Sequence, residues 1–213
     1  MAEDYCTAAE AATALGINDA ADNVRLQICV TAASRQIEGF VGRRFWQDST
    51  VQTREFYADD SRNVDLLDQP GSEPKVEIST TTGLIVKVDS GCDGTFATTL
   101  TIDTHFALLP RNAADDSRPY SALYVVGGSN YFPVISNGRP GVQITARFGW
   151  ATTPTEVKQA TILQAELLFK SQDAPLGAAE LGQSGGVLFQ RAAIHPVAKA
   201  LLVGAGLQRP LVG

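Results

Sequence analysis

The sequence predicts an α+β fold in which helices from both ends of the chain form a small helical domain around a β-rich insertion. Three observations lead to this prediction. Apolar residues recur every three or four positions over residues 26–41, which is typical of an amphipathic helix. The middle of the chain contains many short stretches rich in β-forming residues, separated by Gly, Pro, Asn and Asp. Residues 155–170 return to helical spacing, so we expect a second long helix there.

The first helical segment begins with a recognisable start signal. Thr7 is followed three residues later by Glu10, which is the spacing of a capping box, so we expect a short helix over residues 8–15. Asp19 or Asp22 then provides the cap of the longer helix.

The middle of the chain is predicted to be an antiparallel sandwich or barrel-like unit. In the last of its strands Val142, Ile144 and Ala146 alternate with polar residues, which is the period of a half-buried strand. Many short strands with turn residues between them favour this architecture over a parallel sheet. The predicted strands cover residues 51–57, 63–67, 76–82, 83–89, 98–102, 122–126 and 142–148.

The end of the chain is predicted to be an extended tail. Residues 171–186 are rich in Gly, Ala and Ser, as in a connector, and residues 187–207 are unusually apolar. Such a tail either packs back on its own domain or docks on a partner chain, because exposed apolar segments favour association. The predicted domain division is N-terminal helices, β-rich insertion, C-terminal helix and docking tail, over residues 1–50, 51–148, 149–170 and 171–213.

Composition restricts the classes of function. The chain has 213 residues and a formal net charge of −6, which argues against a protein that binds nucleic acid non-specifically through a basic stripe. We find no apolar run of about 20 residues and no basic N-terminal region followed by an apolar core, so neither a membrane span nor a secretory signal is expected. Cys6, Cys29 and Cys92 lack metal-ligand spacing and fit a reducing cytoplasm.

The residues that could support catalysis are few and scattered. His105 and His195 lie far apart in the sequence, and neither has a neighbouring cluster of Cys or carboxylate residues. Ser184 lies in a Gly-rich stretch but lacks the pattern of a nucleophile elbow. We therefore expect no catalytic site, no cofactor and no bound metal. The adjacent carboxylates are expected to cap turns: Asp59–Asp60 and Asp115–Asp116.

A binding module is the alternative function. Aromatic side chains in the β-rich middle of the chain could present a platform for a glycan or a receptor on a virion surface, although aromatic residues at strand positions more often belong to the core or to subunit contacts. The aromatic residues considered are Trp46, Tyr57, Tyr120, Tyr124, Tyr131 and Trp150.

The order of segments resembles a known family. The first long helix ends in Val41-Gly42-Arg43, and the late segment combines an aromatic-Gly pair, Phe148-Gly149-Trp150, with Pro154 and the run Val157-Lys158-Gln159-Ala160. Over residues 7–170 this pattern resembles the head–tail connector (adaptor) proteins of long-tailed bacteriophages and gene transfer agents.

The resemblance implies a structural role in the neck of a virion. It implies a ring of about twelve copies with cyclic symmetry. The ring would lie between the portal and a stopper or tail protein, around a channel in which packaged DNA makes transient, non-specific contact. It also implies assembly in the cytoplasm of a bacterial host, with no role for a membrane. Portal contacts are assigned to the tail: Leu188, Phe189, Arg191, Leu201, Leu202 and Leu207. Deleting residues 187–213 is expected to leave the domain folded and to prevent its incorporation into heads.

Overall fold

The computed structural model describes residues 3–17, 19–70, 75–128, 132–134, 138–173, 178–181, 186–189 and 194–207. It confirms a mixed α+β fold with helices at both ends of the chain. The chain divides into two compact units. The helical unit consists of Met1–Gly42 and Thr153–Gly213, and the β unit is the continuous stretch Arg43–Thr152. The finer sequence-based division, with a separate docking tail, stays a prediction.

The helical unit begins as the sequence predicts. The capping box is present, with the Thr7 hydroxyl accepting from the Glu10 amide and the Glu10 carboxylate accepting from the Thr7 amide. Gly42 ends the second helix in the left-handed region, at φ 75°. A single 3₁₀ turn, Ala20–Asp22, precedes that helix. The helices are α1 (Ala8–Leu15), α2 (Asn23–Val41), α3 (Thr155–Asp173) and α4 (Pro196–Gly204). Among the described residues, no helix has both the length and the apolar character needed to span a membrane.

The end of the chain contains more regular structure than the sequence predicts. Helix α3 continues three residues beyond the predicted end at Lys170. Its last turn is held by Gln172, whose amide donates to the Cys29 thiol of α2 and accepts from Arg25. Helix α4 was not predicted, because the segment is short and mostly apolar. Its start signal is nevertheless in the sequence, since Pro196 occupies the first turn directly after a cap residue. An antiparallel strand pair begins in the predicted connector and ends in the apolar segment that follows it: β8 (Ala178–Leu181) and β9 (Gly186–Phe189).

The β unit is built from two antiparallel sheets. The order is β1-β7-β3-β4 in the first and β2-β6-β5 in the second. The strands are β1 (Gln52–Phe56), β2 (Asn63–Asp65), β3 (Ile85–Val88), β4 (Thr98–Leu100), β5 (Phe106–Leu109), β6 (Ala122–Val125) and β7 (Val142–Ala146). Strand β7 shows the predicted alternation, with Val142, Ile144 and Ala146 buried and the residues between them half-exposed. Apolar side chains from both sheets belong to one core cluster, as in a sandwich.

The β unit differs from the prediction in two places: one predicted strand does not form, and one strand was missed. Residues 76–82 form no strand, and Ile78 makes only isolated bridges, to Tyr120 and Phe148. Strand β5 was missed because three of its four residues are buried. A short apolar run without alternation cannot be assigned to a strand by its period alone.

Candidate partner-binding site

The structure places the six residues assigned to the portal contact in different settings. Leu188 and Phe189 belong to β9, whose backbone pairs with Ala179 and Ala178. Arg191 lies outside the described residues. The remaining three are leucines on α4 or directly after it: Leu201, Leu202 and Leu207.

Two of these leucines are core residues of the helical unit. Leu202 is fully buried and Leu207 is almost fully buried, whereas Leu201 is half-buried. The buried residues of α4 are Ala198 and Leu202, four positions apart on one helix face. In the single chain, Leu202 and Leu207 therefore fix α4 within its own unit. Their assignment to a partner groove requires α4 to leave this position, and it stays a prediction.

The start of α4 is held by a chain of buried and half-buried polar groups. His195 Nδ1 accepts from the amide of Val197 at 3.2 Å and so caps the helix. The amide of His195 donates to Oε1 of Gln164 on α3 at 2.7 Å, and Nε2 of Gln164 donates to Oε1 of Gln36 on α2 at 2.7 Å. Gln164 is almost fully buried, so its amide would be costly to leave without these partners. The cap therefore ties α4 to both long helices.

The N-terminal segment is fixed to α2 by hydrogen bonds. The amide of Tyr5 donates to the Ser34 hydroxyl, and the Tyr5 hydroxyl donates to Glu38. Ser34 is buried and its own hydroxyl donates to a backbone carbonyl one turn earlier. These contacts place the residues before α1 along α2.

An ion pair connects α1 with α3. Lys158 donates to Glu10, the same carboxylate that closes the capping box. The hydrogen bond from Lys158 and the amide of Thr7 lower the pKa of Glu10 to about 2. Because both side chains are well exposed, the pair positions α1 more than it stabilises the fold. Lys158 belongs to the run that carries the family resemblance, and the same run buries Val157 and Ala160.

Exposed apolar side chains mark two faces of the helical unit. Val24 and Ile28 on α2 are 72% and 61% exposed, and Val197 and Val203 on α4 are 54% and 48% exposed. Sequence reasoning missed these faces, because it assigned the apolar residues of α2 to a single buried stripe. The signal was the spacing of four residues between Val24 and Ile28, outside the stripe that begins at Leu26.

The aromatic residues of the alternative binding module do not form one exposed platform. Trp150 is buried, and its indole N–H donates to Glu77 at 3.0 Å. Trp46, Tyr57 and Tyr120 are half-buried. Tyr124 is exposed and lies beneath the guanidinium of Arg62. Tyr131 lies outside the described residues.

The first and last residues of the β unit are joined through Glu77. Arg43, at the start of the unit, and Trp150, near its end, both contact this carboxylate. Glu77 is buried between Arg43, at 3.5 Å, and Trp150, and its backbone carbonyl accepts from Gly149. Burial raises the pKa of Glu77, while Arg43 and Trp150 act in the opposite direction. Gly149 has φ 106°, and a side chain there would collide with the carbonyl of Trp46. Of the residues that carry the family resemblance, Gly42 therefore ends helix α2, and Arg43, Gly149 and Trp150 join the two ends of the β unit through their contacts with Glu77.

The polar residues of the kinds that catalysis uses make structural hydrogen bonds in the described part of the chain. His105 Nδ1 accepts from the amide of Thr101, much as His195 caps α4. Asp59 and Asp60 accept from backbone amides, as expected for carboxylates in a turn. Within the described ranges, no group of three or more His, Cys, Asp or Glu residues could hold a metal ion. Ser184 lies outside the described residues.

Comparison with solved structures identifies proteins of similar fold. A chain from the "neck of empty GTA particle computed with C6 symmetry" (GTA, gene transfer agent) matches with a TM-score of 0.52 and 18% identity, over 98% of this chain and 93% of that chain. A chain from the "neck of native GTA particle computed with C12 symmetry" matches with a TM-score of 0.46 and 21% identity, over 100% and 98%.

The sequence comparisons give no match: no family model fits the chain, and no curated protein is significantly similar to it. The likeness is to chains of gene transfer agent necks, at low sequence identity and over nearly the full length of both chains. The resemblance predicted from the sequence is confirmed as a likeness of fold.

Proposed function

We propose that the chain is a structural subunit of the neck of a phage-like particle, an adaptor that connects the head to the tail. The observation that carries this proposal is the fold likeness to a gene transfer agent neck chain over 98% of this chain. Both units take part in that likeness, so the proposal concerns the whole chain and not one common element.

The arrangement of polar and apolar groups supports a connecting role. The described histidines cap backbone amides, and buried Gln164 and Glu77 hold elements together. The surface instead presents apolar side chains on two helices, and exposed apolar patches commonly mark interaction sites. These features fit a protein that acts through its contacts with other chains.

The proposed assembly is a ring of about twelve copies with cyclic symmetry. It would lie beneath the portal, in contact with a stopper or tail protein, around the channel that DNA crosses. The net charge of −6 suits a wall that DNA passes without sticking, because acidic groups repel phosphates. Assembly would take place in the bacterial cytoplasm.

The proposed portal contact lies in the C-terminal segment. Phe189 and Arg191 are its anchors, because aromatic and Arg side chains often dominate the energetics of interfaces. Leu188 adjoins them in the sequence, and Leu201 is the α4 leucine that keeps part of its surface exposed. Leu202 and Leu207 join this contact only if α4 is displaced.

Deletion of residues 187–213 is no longer a clean test. It removes Leu202 and Leu207, which are buried in the helical unit, so the expectation that the truncated domain stays folded is withdrawn. Paired substitutions are better. We expect Phe189→Ala with Arg191→Ala to prevent incorporation into heads, and the unfolding temperature of the purified variant reports separately whether the fold is retained.

The test requires particles produced without the wild-type chain and supplied with each variant. Electron microscopy of the neck and immunodetection of the chain in purified heads are the readouts. Val51→Ala, on the exposed surface of the β unit, is the matched control. If wild-type protein never joins particles, the proposed function is wrong. If the paired variant joins particles as well as wild type does, the portal assignment is wrong and the neck role stands.

A further inference from the structure

The four-stranded sheet of the β unit has two exposed edges. Strand β1 lies at one edge and β4 at the other, and most residues of each strand are exposed. The run from Ala97 to Thr101, which includes β4, contains no charged residue and no Pro. Natural proteins commonly protect a free edge with such residues. The β4 edge therefore has the character of an edge that another strand covers.

The register of the sheet determines which backbone groups face each edge. The amide of Asp89 donates to the carbonyl of Gly141, in register with the pairing of β3 and β7, so the odd-numbered residues of β7 bond to β3. The even-numbered residues of β7 then bond to β1, and the backbone groups of Thr53 and Glu55 point away from the sheet. By the same alternation, the backbone groups of Thr99 in β4 point outward at the opposite edge.

Side-chain hydrogen bonds agree with this assignment at both edges. At the β1 edge, the side-chain amide of Gln69 donates to the carbonyl of Tyr57 and accepts from its amide, as the peptide group of an adjacent strand would. At the β4 edge, the amide of Thr101 donates to Nδ1 of His105. Within the described part of the chain, no backbone partner reaches the three outward-facing residues that lie between these caps. Each edge therefore has backbone groups that can pair with another strand.

We propose that β1 of one copy pairs antiparallel with β4 of the next copy, so that the sheets of neighbouring subunits are continuous around the ring. The inference rests on the proposed function, and it names the surfaces that join the copies. In the pairing that places Thr53 opposite Thr99 of the next copy, these two residues exchange a pair of amide-to-carbonyl hydrogen bonds. The amide of Glu55 then donates to the carbonyl of Ala97.

The two edges match in direction and in face. The three neighbouring strand pairs of the sheet are all antiparallel, so β4 runs opposite to β1. In a ring of about twelve copies, neighbours are rotated by about 30°, close to the twist of about 20–25° between adjacent strands, so strand directions are nearly preserved. Arg54 pairs with buried Ile144, and Leu100 pairs with buried Val86. The outward-facing threonines that alternate with Arg54 and Leu100 therefore share the outer face of the sheet.

The side chains that this pairing brings together are compatible. Opposed threonines form stabilising cross-strand pairs, and Thr53 already makes one such hydrogen bond, with Thr145 at 2.8 Å. The β4 edge supplies only uncharged residues, so neither Arg54 nor Glu55 meets a like charge. In a contact of this kind the main-chain hydrogen bonds supply affinity, and the alternating side chains supply register.

A continuous sheet sets a minimum size for the ring. Adjacent strands are about 4.8 Å apart, so four strands add about 19 Å per copy, and twelve copies give a circumference of about 230 Å. The ring is therefore at least about 73 Å across at the sheet, because tilted strands only widen it. Electron microscopy of the neck measures this diameter. A ring of twelve β units that is narrower would disprove the contact.

Cysteine pairing tests the contact in particles that carry variants of the full-length chain. Thr53→Cys and Thr99→Cys are combined with Cys92→Ser, which removes the exposed native thiol. Hydrogen-bonded residues of antiparallel strands have Cα atoms about 5.5 Å apart, within the range of a disulfide. Cys6 and Cys29 are buried, and burial raises the pKa of both thiols, so neither competes. Oxidised glutathione is the oxidant, and non-reducing electrophoresis is the readout.

The proposed pairing predicts a ladder of species larger than dimers only when both new cysteines are present. The matched control combines Thr53→Cys with Tyr124→Cys, because Tyr124 is exposed but belongs to β6, the inner strand of the other sheet. An equal ladder in the control would overturn the contact. Efficient dimer formation by either single cysteine variant would show that like edges pair, and it would overturn the contact too.

Proline substitution tests the outward direction of the backbone independently. Glu55→Pro removes an amide hydrogen that faces away from the sheet, which an edge strand tolerates, so the purified variant should unfold at the same temperature as Glu55→Ala. In the double-cysteine chain, Glu55→Pro is expected to reduce the ladder severalfold, whereas Glu55→Ala keeps the amide and should leave the ladder unchanged. Equal ladders would disprove the pairing. A lower unfolding temperature for Glu55→Pro would disprove the outward direction on which the pairing depends.

The particle experiment separates this contact from the proposed function. If the wild-type chain is absent from the neck, the proposed function is wrong. If the double-cysteine chain is present in the neck and gives no ladder, the contact alone is wrong.

Discussion

The two units of the chain are stabilised in different ways. The β unit encloses a large apolar cluster that includes Phe56, Phe106, Phe132 and Phe148, all from one continuous stretch of chain. The helical unit brings together both ends of the chain around a cluster of small side chains, chiefly alanine and cysteine. Both units also bury hydrogen-bonded polar side chains, and the comparison shows that in the helical unit such contacts join segments from opposite ends of the chain.

The polar contacts of the helical unit specify where each segment lies. Buried Ser34 accepts from the Tyr5 amide and buried Gln164 donates to Gln36, so both join segments that lie far apart in the sequence, whereas buried Thr161 donates to a carbonyl of its own helix. Small residues let helices approach closely but provide few features that define one register. Satisfied buried hydrogen bonds supply that definition, because a shifted helix would leave polar groups without partners. The β unit also buries polar side chains that have hydrogen-bond partners: Arg44, Gln69, Glu77 and Asp89.

The largest effect is expected from Gly149→Ala, at the closure of the β unit. The substitution combines an unfavourable φ of 106° with a steric collision against the backbone of Trp46. We expect a loss of more than about 3 kcal/mol in the free energy of unfolding. Denaturant titration of the full-length protein measures it. A loss below about 1 kcal/mol would show that this closure adjusts easily.

Leu202→Ala tests whether α4 belongs to the core of the helical unit. Removing a fully buried leucine should cost about 2–4 kcal/mol, through lost burial and the remaining cavity. Its neighbour Val203 is 48% exposed, so Val203→Ala is the matched control and should change stability by less than about 0.5 kcal/mol. Equal effects of the two substitutions would mean that α4 is not docked in the free protein.

The carboxyl group of Glu77 is expected to give stability a specific pH dependence. Burial raises its pKa in the folded state, so the folded protein keeps a proton that the unfolded chain has already lost. Stability should therefore fall as the pH rises from the ordinary value of a glutamate towards the raised value. Thermal unfolding of wild type and Glu77→Gln across this range isolates the effect, since the variant lacks the titrating group. Parallel profiles would contradict the raised pKa.

The smallest effect is a gain, expected from Gly39→Ala in α2. Gly39 is exposed within the helix, and an added side chain would meet nothing within 4 Å. Alanine is the better helix former, so unfolding should become less favourable by about 0.5–1 kcal/mol. Calorimetry of the free protein checks this. Replacing glycine by alanine is thus predicted to lower stability at Gly149 in the β unit and to raise it at Gly39 in the helical unit.

Part of the fold followed from local sequence patterns. The capping box of Thr7 and Glu10, the α2 stripe ending at Gly42 and the alternation in β7 were predicted because their signals lie within a few residues. Strand β5 and helix α4 were missed because each is short and apolar, and their packing partners determine their conformation. Of the proposed contact residues, Leu202 and Leu207 could not be assigned to the core from composition alone, since apolar residues suit a core and an interface equally.

By itself, the sequence determined the fold class, the positions of the long helices and the scarcity of catalytic groups. These depend on local periodicity, capping and composition, which do not require knowledge of distant neighbours. Only the tertiary structure decided that α4 packs on its own unit, that His195 ties it to Gln164, and that Val24 and Ile28 remain exposed. These facts depend on which surfaces segments far apart in the sequence cover. An apolar side chain becomes core or interface only when its neighbours are in place.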